Sequence, residues 1–503
     1  MTIRAEHPSL EEYLRTHLTP DQLRKPLLVS FTQWDFAAAA LAEVTATLSD
    51  MGSKPSIALW SSKTPLRDVG WQSHHVISRL LFSPTIDLRV KRALLAYGLP
   101  KSAFINPYRP WTPREPLPTI TDTNRSAIRA LTYRSAPMGR GILEVPPSSE
   151  TPVTDDYRWP RRYVERAIRS YAFAFDQAKE AMEATGASSV FTYNGRFLHD
   201  SAVSHAAEQL GLPTLAYDTG GLDTDFDLTI DATHDWSALQ TRMKRMYESW
   251  PQSEADAVGS SWFLDRRNHM EAANTMFTGG QTLGQGINVA PNETIVTYFS
   301  SSGDEIAELD LDWSDYFNGQ EEAVKAVADA CAAHGYRLVV RTHPHKRFKP
   351  ADDVGAWHAA VKRANPHVHL DEHSEVDSYT LMQQSHVVVT YGSTTGVEAA
   401  YAGRPVVVMG PSAYDELGCA QRVRDRRQLS DAIADPPIPS STRAIPYGLM
   451  MKRRGFIYRH LVRDSAGSRR FGEVTIVEPH ELVRHLSHAL NRIGKWRLTR
   501  VTQ

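Results

Sequence analysis

The sequence predicts an α/β protein made of two units, each built around a parallel β-sheet. Near the start of the chain an apolar run at 26–31 is followed by a helical pattern at 36–52 and a second apolar run at 56–60. The same strand–helix–strand alternation returns at 189–221 and again over 293–410. Strands that alternate with helices are typical of parallel sheets with helical crossovers.

The elements of the first unit follow from their apolar patterns. The helix at 36–52 ends at a glycine, a common residue just past the last turn of a helix. A proline-rich stretch at 108–123 predicts an irregular excursion. Beyond it we expect a helix over 161–183, a strand over 189–194, a helix over 197–211, and a strand with its loop over 213–221.

A second unit follows a polar connector. Its expected elements are strands at 293–300, 336–344, 386–392 and 404–410 and helices at 321–335, 378–385 and 395–403. The expected boundaries are an N-terminal Rossmann-like domain at 1–230, a helical connector at 231–290, a C-terminal Rossmann-like domain at 291–480, and a helix and tail at 481–503, the late helical pattern itself covering 479–493.

Composition excludes several classes of protein. The 503 residues are 41% hydrophobic and 23% charged, with a net charge of −2, which argues against a nucleic-acid partner for the whole molecule. Two distant cysteines form no metal-binding spacing. No apolar run approaches the roughly 18 residues that a membrane span needs. These features predict a cytoplasmic protein.

The distribution of charge is uneven along the chain. From Gln421 to the end of the sequence there are 17 Lys/Arg against 7 Asp/Glu. One interpretation is a set of solvated helix faces. The other is peripheral contact with the anionic inner face of the plasma membrane, because basic clusters are attracted to anionic lipid.

Polar loops follow three strands of the second unit, at 300–305, 341–346 and 392–398. Ligands of parallel sheets bind beyond the carboxyl ends of the strands, so these loops are expected to open onto one edge. The Gly-Ser-Thr-Thr sequence at 392–395 begins a helix, where N–H groups favour an anion such as phosphate. Thr395 and Glu398 also fit a capping box, which needs no ligand.

The His-Pro loop adds donors beside this candidate phosphate site. Arg341, His343, His345 and Lys346 lie at or just after one strand end, and a histidine can hydrogen-bond a phosphate. Glu398 is a candidate for either capping its helix or accepting hydrogen bonds from ribose hydroxyls. A metal site is not expected, because the acidic stretch at 371–377 is better explained as a loop in which Asp377 caps a helix.

These motifs resemble those of a known family. The stretches YFSSSGDE at 298–305, GQEEAV at 319–324, VVRTHPH at 339–345 and the run at 377–410 resemble the C-terminal half of bacterial capsule and surface polysaccharide biosynthesis proteins. That family is similar to the GT-B glycosyltransferases, including capsular Kdo transferases and bacterial sialyltransferases with a His-Pro motif. The segment at 192–221 resembles the family's Asn-Gly-Arg segment.

The resemblance implies a GT-B-like fold, in which two Rossmann-like domains face an interdomain cleft and the second holds most of the nucleotide-sugar. It implies that the His-Pro motif contacts the nucleotide phosphate. Together with the loop analysis, it gives the following donor-binding set: Ser301, Ser302, Glu305, Arg341, His343, Pro344, Lys346, Gly392, Ser393, Thr394, Thr395 and Glu398. Asn194, Gly195 and Arg196 match the Asn-Gly-Arg segment and are expected to face the cleft from the first domain.

The expected function is metal-independent transfer of a sugar from a nucleotide-activated donor to a surface or capsular glycan or lipid-linked acceptor, with no resident cofactor. Asp35 and Asp218 are candidate bases for the acceptor hydroxyl, and His343 is counted with them as catalytic. In the family an acidic residue precedes the loop glycine, and here it is displaced to Asp218. Three alternatives remain: a teichoic-type glycerophosphotransferase, a UDP-sugar 2-epimerase-like enzyme, and a non-catalytic GT-B-like assembly subunit.

Overall fold

The structure is a computed structural model that describes residues 9–31, 35–61, 83–108, 110–143, 158–222, 224–230, 236–270, 278–301, 317–349, 351–463 and 469–477. The expected helix at 479–493 lies outside these residues. The helices are α1 (Leu10–His17), α2 (Asp35–Asp50), α3 (Ser83–Ala96), α4 (Arg125–Arg129), α5 (Met138–Leu143), α6 (Arg161–Thr185), α7 (Leu198–Gln209), α8 (Trp236–Ser249), α9 (Gln252–Arg267), α10 (Gln320–His334), α11 (Ala351–Ala364), α12 (Ser378–Gln384), α13 (Thr395–Tyr401), α14 (Arg426–Ala434) and α15 (Ser441–Arg453).

The strands are short and mostly buried. They are β1 (Pro26–Ser30), β2 (Ser56–Leu59), β3 (Ser189–Tyr193), β4 (Thr214–Thr219), β5 (Asp225–Thr229), β6 (Ile295–Phe299), β7 (Arg337–Arg341), β8 (Val368–Leu370), β9 (Val387–Thr390), β10 (Val406–Val408), β11 (Gln421–Arg422), β12 (Phe456–Ile457), β13 (Leu461–Arg463), β14 (Arg469–Phe471) and β15 (Val474–Val477).

The chain divides into two compact units. The first unit lies within 6–147, 154–233 and 454–503, and the second lies within 234–453. The first contains a sheet in the order β12-β5-β4-β3-β1-β2, and the second a sheet in the order β11-β10-β9-β6-β7-β8. The predicted α/β class with two Rossmann-like units is therefore confirmed.

Both sheets are covered on their two faces, as parallel sheets with helical crossovers must be. In β1 the side chains of Leu27 and Val29 join one hydrophobic cluster, and Leu28 joins the other. In β9 Val387 and Val389 face one cluster, and Val388 faces its opposite. Burial on both faces explains why these strands appear in the sequence as continuous apolar runs rather than as alternating ones.

The observed division differs from the expected boundaries at two places. Helices α8 and α9, expected as a connector, belong to the second unit, because α9 packs closely on α15 through Gly259 and Gly448. The chain then returns to the first unit at residue 454, where β12 pairs antiparallel with β5. A two-residue strand carries no periodicity, so the sequence gives no sign of this return.

The proline-rich excursion is anchored to the first unit by one buried carboxylate. Asp176, in the middle of α6, is fully buried. It accepts hydrogen bonds from Trp111 Nε1 at 3.2 Å, from the backbone N–H of Arg114 at 3.1 Å and from Tyr133 Oη at 2.8 Å, and it pairs with Arg134 Nη1 at 3.2 Å. Since a buried charge needs several partners, this network fixes the segment in place.

A histidine holds the returning segment to α2. Both ring nitrogens of His460 meet carboxylates: Nδ1 lies 2.9 Å from Glu43 Oε1, and Nε2 lies 3.0 Å from Asp50 Oδ2. Glu43 is 1% exposed and also accepts the backbone N–H groups of Arg459 and His460, while Tyr97 Oη donates to Asp50. Two carboxylate partners favour the doubly protonated ring, and the hydrogen bond with Glu43 raises the pKa of His460.

The contacts of His460 with Glu43 and Asp50, called the clasp below, predict a stability that depends on pH. A raised pKa in the folded state means that the stabilisation is fully present below the unfolded pKa of about 6.5 and is lost as the pH rises through the folded value. We expect His460→Gln to lower the free energy of unfolding by about 1–3 kcal/mol below that pH, and by less above it. Urea unfolding of both proteins between about pH 5 and 8 measures the difference. A constant difference across this range would contradict the clasp.

None of the helices within the described ranges combines the length and the apolar character that a membrane span requires.

Candidate functional site

Three loops of the second unit meet at one edge of its sheet. Strands β9, β6 and β7 are neighbours and run parallel. Phe299, the last residue of β6, lies opposite both Arg341 of β7 and Thr390 of β9, so the three strands end in line. The loops that begin at Ser300, Thr342 and Tyr391 therefore share this edge, as the sequence predicted.

The loop after β6 is tied to the His-Pro loop. Ser300 Oγ accepts the backbone N–H of His343 at 2.9 Å. The next residue, Ser301, is held by Gln320, whose Oε1 accepts the Ser301 N–H at 2.9 Å and whose Nε2 donates to the Ser301 carbonyl at 3.3 Å. Ser301 Oγ is buried and has no hydrogen-bond partner among the described residues. It is thus a hydroxyl at the edge whose bonding capacity is unused. Ser302 and Glu305 lie outside the described residues.

The contacts of His343 determine which ring nitrogen carries the proton. His343 precedes the short 3₁₀ turn at 344–348, which Pro344 begins, and its Nδ1 accepts the backbone N–H of His345 at 3.2 Å. A nitrogen that accepts from an amide cannot itself be protonated, so the ring is neutral and its proton is on Nε2. The half-buried ring therefore provides an Nε2–H donor, the group that a phosphate oxygen needs.

Two basic residues of this loop make contacts with other residues of the second unit. Arg341 is 2% exposed, and its guanidinium donates to the backbone carbonyls of Asp371 at 3.3 Å and Ser374 at 3.1 Å. Burial lowers the pKa of Arg341 to about 10. Lys346 is also buried and places its ammonium 5.2 Å from the centre of the Trp357 ring. These contacts fix the loop after β7 to its neighbours.

The Gly-Ser-Thr-Thr loop is closely packed. Gly392 has a φ of 84°, which favours glycine, and the Ser393 hydroxyl lies 3.1 Å from Thr395 Oγ1 and accepts the Thr395 N–H. Tyr414 Oη donates to the Ser393 carbonyl at 2.6 Å, and a side chain at Gly396 would overlap that hydroxyl. The hydrogen bond from the buried Tyr414 therefore holds this loop in position.

The capping box suggested by the sequence does not form. The residue that caps α13 is the exposed Thr394, and its side chain makes no capping hydrogen bond. Glu398 is 6% exposed, and its Oε1 instead accepts a hydrogen bond from Arg266 Nε at 2.5 Å. Because α13 is only seven residues long, any preference for an anion here depends on the loops that meet at the edge more than on the helix dipole.

The first unit brings together two of the predicted groups. Asn194 follows β3 and Asp218 lies near the end of β4, the neighbouring parallel strand. Asn194 has a φ of 53° and donates from Nδ2 to Asp218 Oδ2 at 2.5 Å, while the backbone N–H of Thr219 donates to Oδ1 at 2.7 Å. Burial raises the pKa of the Asp218 carboxyl, and the two hydrogen bonds oppose that shift. A carboxylate with a raised pKa at a strand end has the character of a general base.

The remaining candidates of the first unit lie at the same edge of its sheet. Gly195 has a φ of 77°, and the guanidinium of Arg196 lies 5.2 Å from the centre of the Phe197 ring. Asp35 is the first residue of α2, which follows β1, the other neighbour of β3. Asp35 therefore lies after a strand that is separated from β4 by β3, and its side chain is not among those that the structure describes.

Residues that the sequence did not single out complete the second-unit site. Gln320, Tyr414 and Arg266 each hold a predicted residue. Gln320 lies in the GQEEAV stretch but was not among the predicted site residues, and Tyr414 and Arg266 were not singled out either. Gln320 is the first residue of α10, after the turn at 317–319. An amide side chain at the start of a helix is only a weak indication that it holds a neighbouring loop. Arg266 is 132 residues from Glu398 in sequence, so no local pattern relates the two. The predicted cap at Asp377 is confirmed, since its carboxylate accepts the N–H groups of Tyr379 and Thr380.

The described residues contain no group of three or more His, Cys, Asp or Glu side chains that could hold a metal ion. Both cysteines are buried, and burial raises the pKa of each thiol to about 12, so neither has the character of a reactive thiolate.

The two parallel-sheet units and the loops at their carboxyl edges define an α/β protein with two Rossmann-like units. Residues 312–437 match the family model described as "Capsule polysaccharide biosynthesis protein". This segment includes the His-Pro loop and the Gly-Ser-Thr-Thr loop, so the resemblance predicted from those motifs is confirmed there. At the level of the family, the chain is similar to capsule polysaccharide biosynthesis proteins. No curated protein sequence matches the chain.

Solved structures also show likeness to the chain. The beta Kdo 2,4 transferase of Thermosulfurimonas dismutans KpsC is 14% identical, with 59% of this chain and 86% of that chain covered, at a TM-score of 0.34. The beta Kdo 2,7 transferase of the same KpsC is 12% identical, covering 65% and 90%, also at 0.34. The UDP-GlcNAc 2-epimerase of Neisseria meningitidis is 13% identical, covering 86% and 94%, at 0.27. At these scores the likeness carries no argument about chemistry.

Proposed function

We propose that the protein is a glycosyltransferase that moves a sugar from a nucleotide-activated donor to a surface or capsular glycan, or to a lipid-linked precursor of one. The observation that carries the proposal is the edge formed by β6, β7 and β9, where His343 offers an Nε2–H donor beside the serine loops. The match of residues 312–437 to capsule polysaccharide biosynthesis proteins supports the same function.

In this proposal the donor's phosphate lies against the second unit. The Nε2–H of His343 and the hydroxyl of Ser301 donate hydrogen bonds to the phosphate oxygens. The Ser393 hydroxyl, which donates to Thr395 Oγ1, holds the neighbouring loop in position. When the bond between the anomeric carbon and the phosphate oxygen breaks, its electron pair goes to the phosphate, and these fixed donors stabilise the added charge. No metal is required for that stabilisation, so a chelator is expected to leave activity unchanged.

The candidate base in this proposal is Asp218. Its carboxylate takes the proton of the acceptor hydroxyl as the acceptor oxygen forms its bond to the anomeric carbon. Asn194 keeps the carboxylate in one orientation. The basic residues after 421, with their attraction to anionic lipid, provide the proposed contact with the membrane surface where lipid-linked acceptors lie.

A donor panel tests the function. The protein is incubated with CMP-, UDP-, GDP- and CDP-activated sugars and a mixture of glycan acceptors. Release of the nucleotide with transfer or hydrolysis of the sugar supports the proposal. Interconversion of free UDP-sugars would indicate an epimerase, transfer of glycerol phosphate from a CDP-activated donor would indicate a glycerophosphotransferase, and nucleotide binding without turnover would indicate an assembly subunit.

Substitution of His343 tests the donor site itself. Asparagine at this position can still accept the N–H of His345 through its side-chain oxygen, so His343→Asn retains the cap and removes only the Nε2–H donor. We expect it to weaken nucleotide binding by about tenfold to a hundredfold, the effect of losing one hydrogen bond to a charged group. Isothermal titration with the nucleotide measures this change.

The matched control is His334→Asn. His334 ends α10, at the opposite end of the sheet, where its Nε2 lies 3.0 Å from Ser430 Oγ. Its substitution is expected to leave affinity unchanged. If His343→Asn bound nucleotide as tightly as the unmodified protein, the donor site would have to lie elsewhere.

A further inference from the structure

The ion pair between Arg266 and Glu398 joins two distant parts of the second unit. Arg266 is close to the end of α9, and Glu398 lies in α13, directly after the Gly-Ser-Thr-Thr loop. Their side chains are 13% and 6% exposed, and Arg266 Nε lies 2.5 Å from Glu398 Oε1. The pair is therefore almost completely shielded from solvent.

A third residue fixes the orientation of the arginine. The guanidinium carbon of Arg266 lies 4.7 Å from the centre of the Trp262 ring, one turn earlier in α9. Trp262 is 2% exposed and is packed between Phe263 and Tyr447, at ring-centre distances of 4.8 and 5.4 Å. Stacking on an immobile indole restricts the guanidinium to one plane. Arg266 consequently holds Glu398 in a defined direction.

Stability alone does not explain such a pair. Removing two charges from water costs about as much as their attraction returns, and apolar side chains of similar size often stabilise a fold equally well. What a shielded pair supplies in addition is a fixed geometry. Here it fixes a carboxylate at the edge where three loops meet.

Only one oxygen of that carboxylate is occupied. Arg266 donates to Oε1, and no described residue donates a hydrogen bond to Oε2. An ionised carboxylate accepts hydrogen bonds at both oxygens and has no donor of its own. The complementary ligand group is thus a hydroxyl, or a pair of neighbouring hydroxyls.

We propose that Arg266 is a positioning residue, which orients Glu398 so that its second oxygen accepts hydrogen bonds from the ribose hydroxyls of the donor nucleotide. This inference rests on the proposed function. It adds to that function a residue of α9, Arg266, that determines the selectivity for ribose over deoxyribose. The selectivity arises because the Arg266–Glu398 pair has a fixed geometry. Arg266 itself touches no substrate.

The alternative is a pair that merely joins two helices. The two explanations differ in one measurable ratio, the affinity for a ribonucleotide divided by the affinity for its deoxy counterpart. A structural role would change the affinity for both ligands alike, or for neither. A positioning role would change the ratio, because only the ribonucleotide has the hydroxyl that Glu398 contacts.

The experiment measures dissociation constants for CMP, UDP, GDP and CDP and for their 2′-deoxy and 3′-deoxy counterparts. For the unmodified protein we expect the best-binding nucleotide to bind about tenfold to a hundredfold more tightly than at least one deoxy counterpart. In Arg266→Gln the ratio is expected to fall towards one, and in Arg266→Lys, which keeps the charge but loses the planar fork, it is expected to be intermediate. Glu398→Gln is expected to lower the ratio as well.

A second variant distinguishes the loss of positioning from a loss of folding. Trp262→Phe keeps an aromatic ring beneath Arg266 and is expected to fold, while reducing the ratio by a smaller factor. An unchanged ratio in Arg266→Gln would overturn the inference and leave the proposed function intact, as would a native protein that binds ribonucleotides and their deoxy forms equally. If the native protein bound none of the four nucleotides, the proposed function and this inference would both be overturned.

Discussion

Substitution of Asp218 by Asn is expected to lower the rate of sugar transfer by about 10²–10⁴-fold, the usual contribution of a general base. The amide has the size of the carboxylate and still accepts a hydrogen bond through its oxygen, but it cannot take a proton from the acceptor hydroxyl. Nucleotide affinity is expected to remain unchanged, because the donor is held by the second unit. Steady-state kinetics with saturating donor would measure the loss as a fall in kcat.

The pH profile of the unmodified protein provides an independent check. Burial raises the pKa of Asp218, so the base becomes protonated, and activity is lost, at a higher pH than the value of about 3.9 for an exposed aspartate. Activity should therefore decline on the acid side at a pH above that value. The exposed Asp431, substituted to Asn, serves as the control and is expected to retain full activity. Full activity of Asp218→Asn would exclude this residue as the base and make Asp35 the next candidate.

Gly448→Ala is expected to have the largest effect on stability. Gly448 of α15 faces Gly259 of α9, and a methyl group added there would overlap the Gly259 carbonyl oxygen and lie 2.8 Å from Phe263 Cε2. Neither a backbone carbonyl nor a buried ring can move away cheaply. We expect a loss of about 1–3 kcal/mol, or more if α9 cannot shift. Thermal and urea unfolding would measure it.

The control for this variant is another helical glycine. Gly355 of α11 has no atom within 4 Å of an added methyl group and is exposed. Gly355→Ala is therefore expected to stabilise the protein by about 0.5–1 kcal/mol, since alanine loses less backbone entropy in a helix. Because Arg266 lies on α9, Gly448→Ala should also weaken nucleotide binding. An unaltered melting temperature in Gly448→Ala would contradict the close packing of the two helices.

The sequence was sufficient for the elements that depend on local pattern. Buried parallel strands such as β6 and β9 appear as short apolar runs bounded by polar loops, so their positions were correct to within a few residues. The meeting of the three loops also followed from the sequence, because parallel strands with helical crossovers end at the same edge. The positions of the His-Pro loop and of Asp218 at strand ends were predictable for the same reason.

The parts of the fold and of the candidate site that the sequence did not predict depend on contacts between residues that are distant in the sequence. The sequence shows that Arg341 is basic, but it does not show that two carbonyls of the loop after β8 engage its guanidinium. The capping box at Thr395 and Glu398 fits its local pattern, yet a buried arginine from another helix competes for the glutamate, and a charge-assisted bond is stronger than a neutral cap. The contact between Glu43 and His460 spans 417 residues and likewise has no local signature.

The return of the chain at residue 454 has a consequence for how the protein is made. Five strands of the first sheet, from β1 to β5, leave the ribosome early, but their partner β12 is synthesised only after the whole second unit. The second unit can fold as one continuous piece while the first still has an open edge at β5. During synthesis that edge is available to other chains, and β12, with the clasp at His460, closes it last.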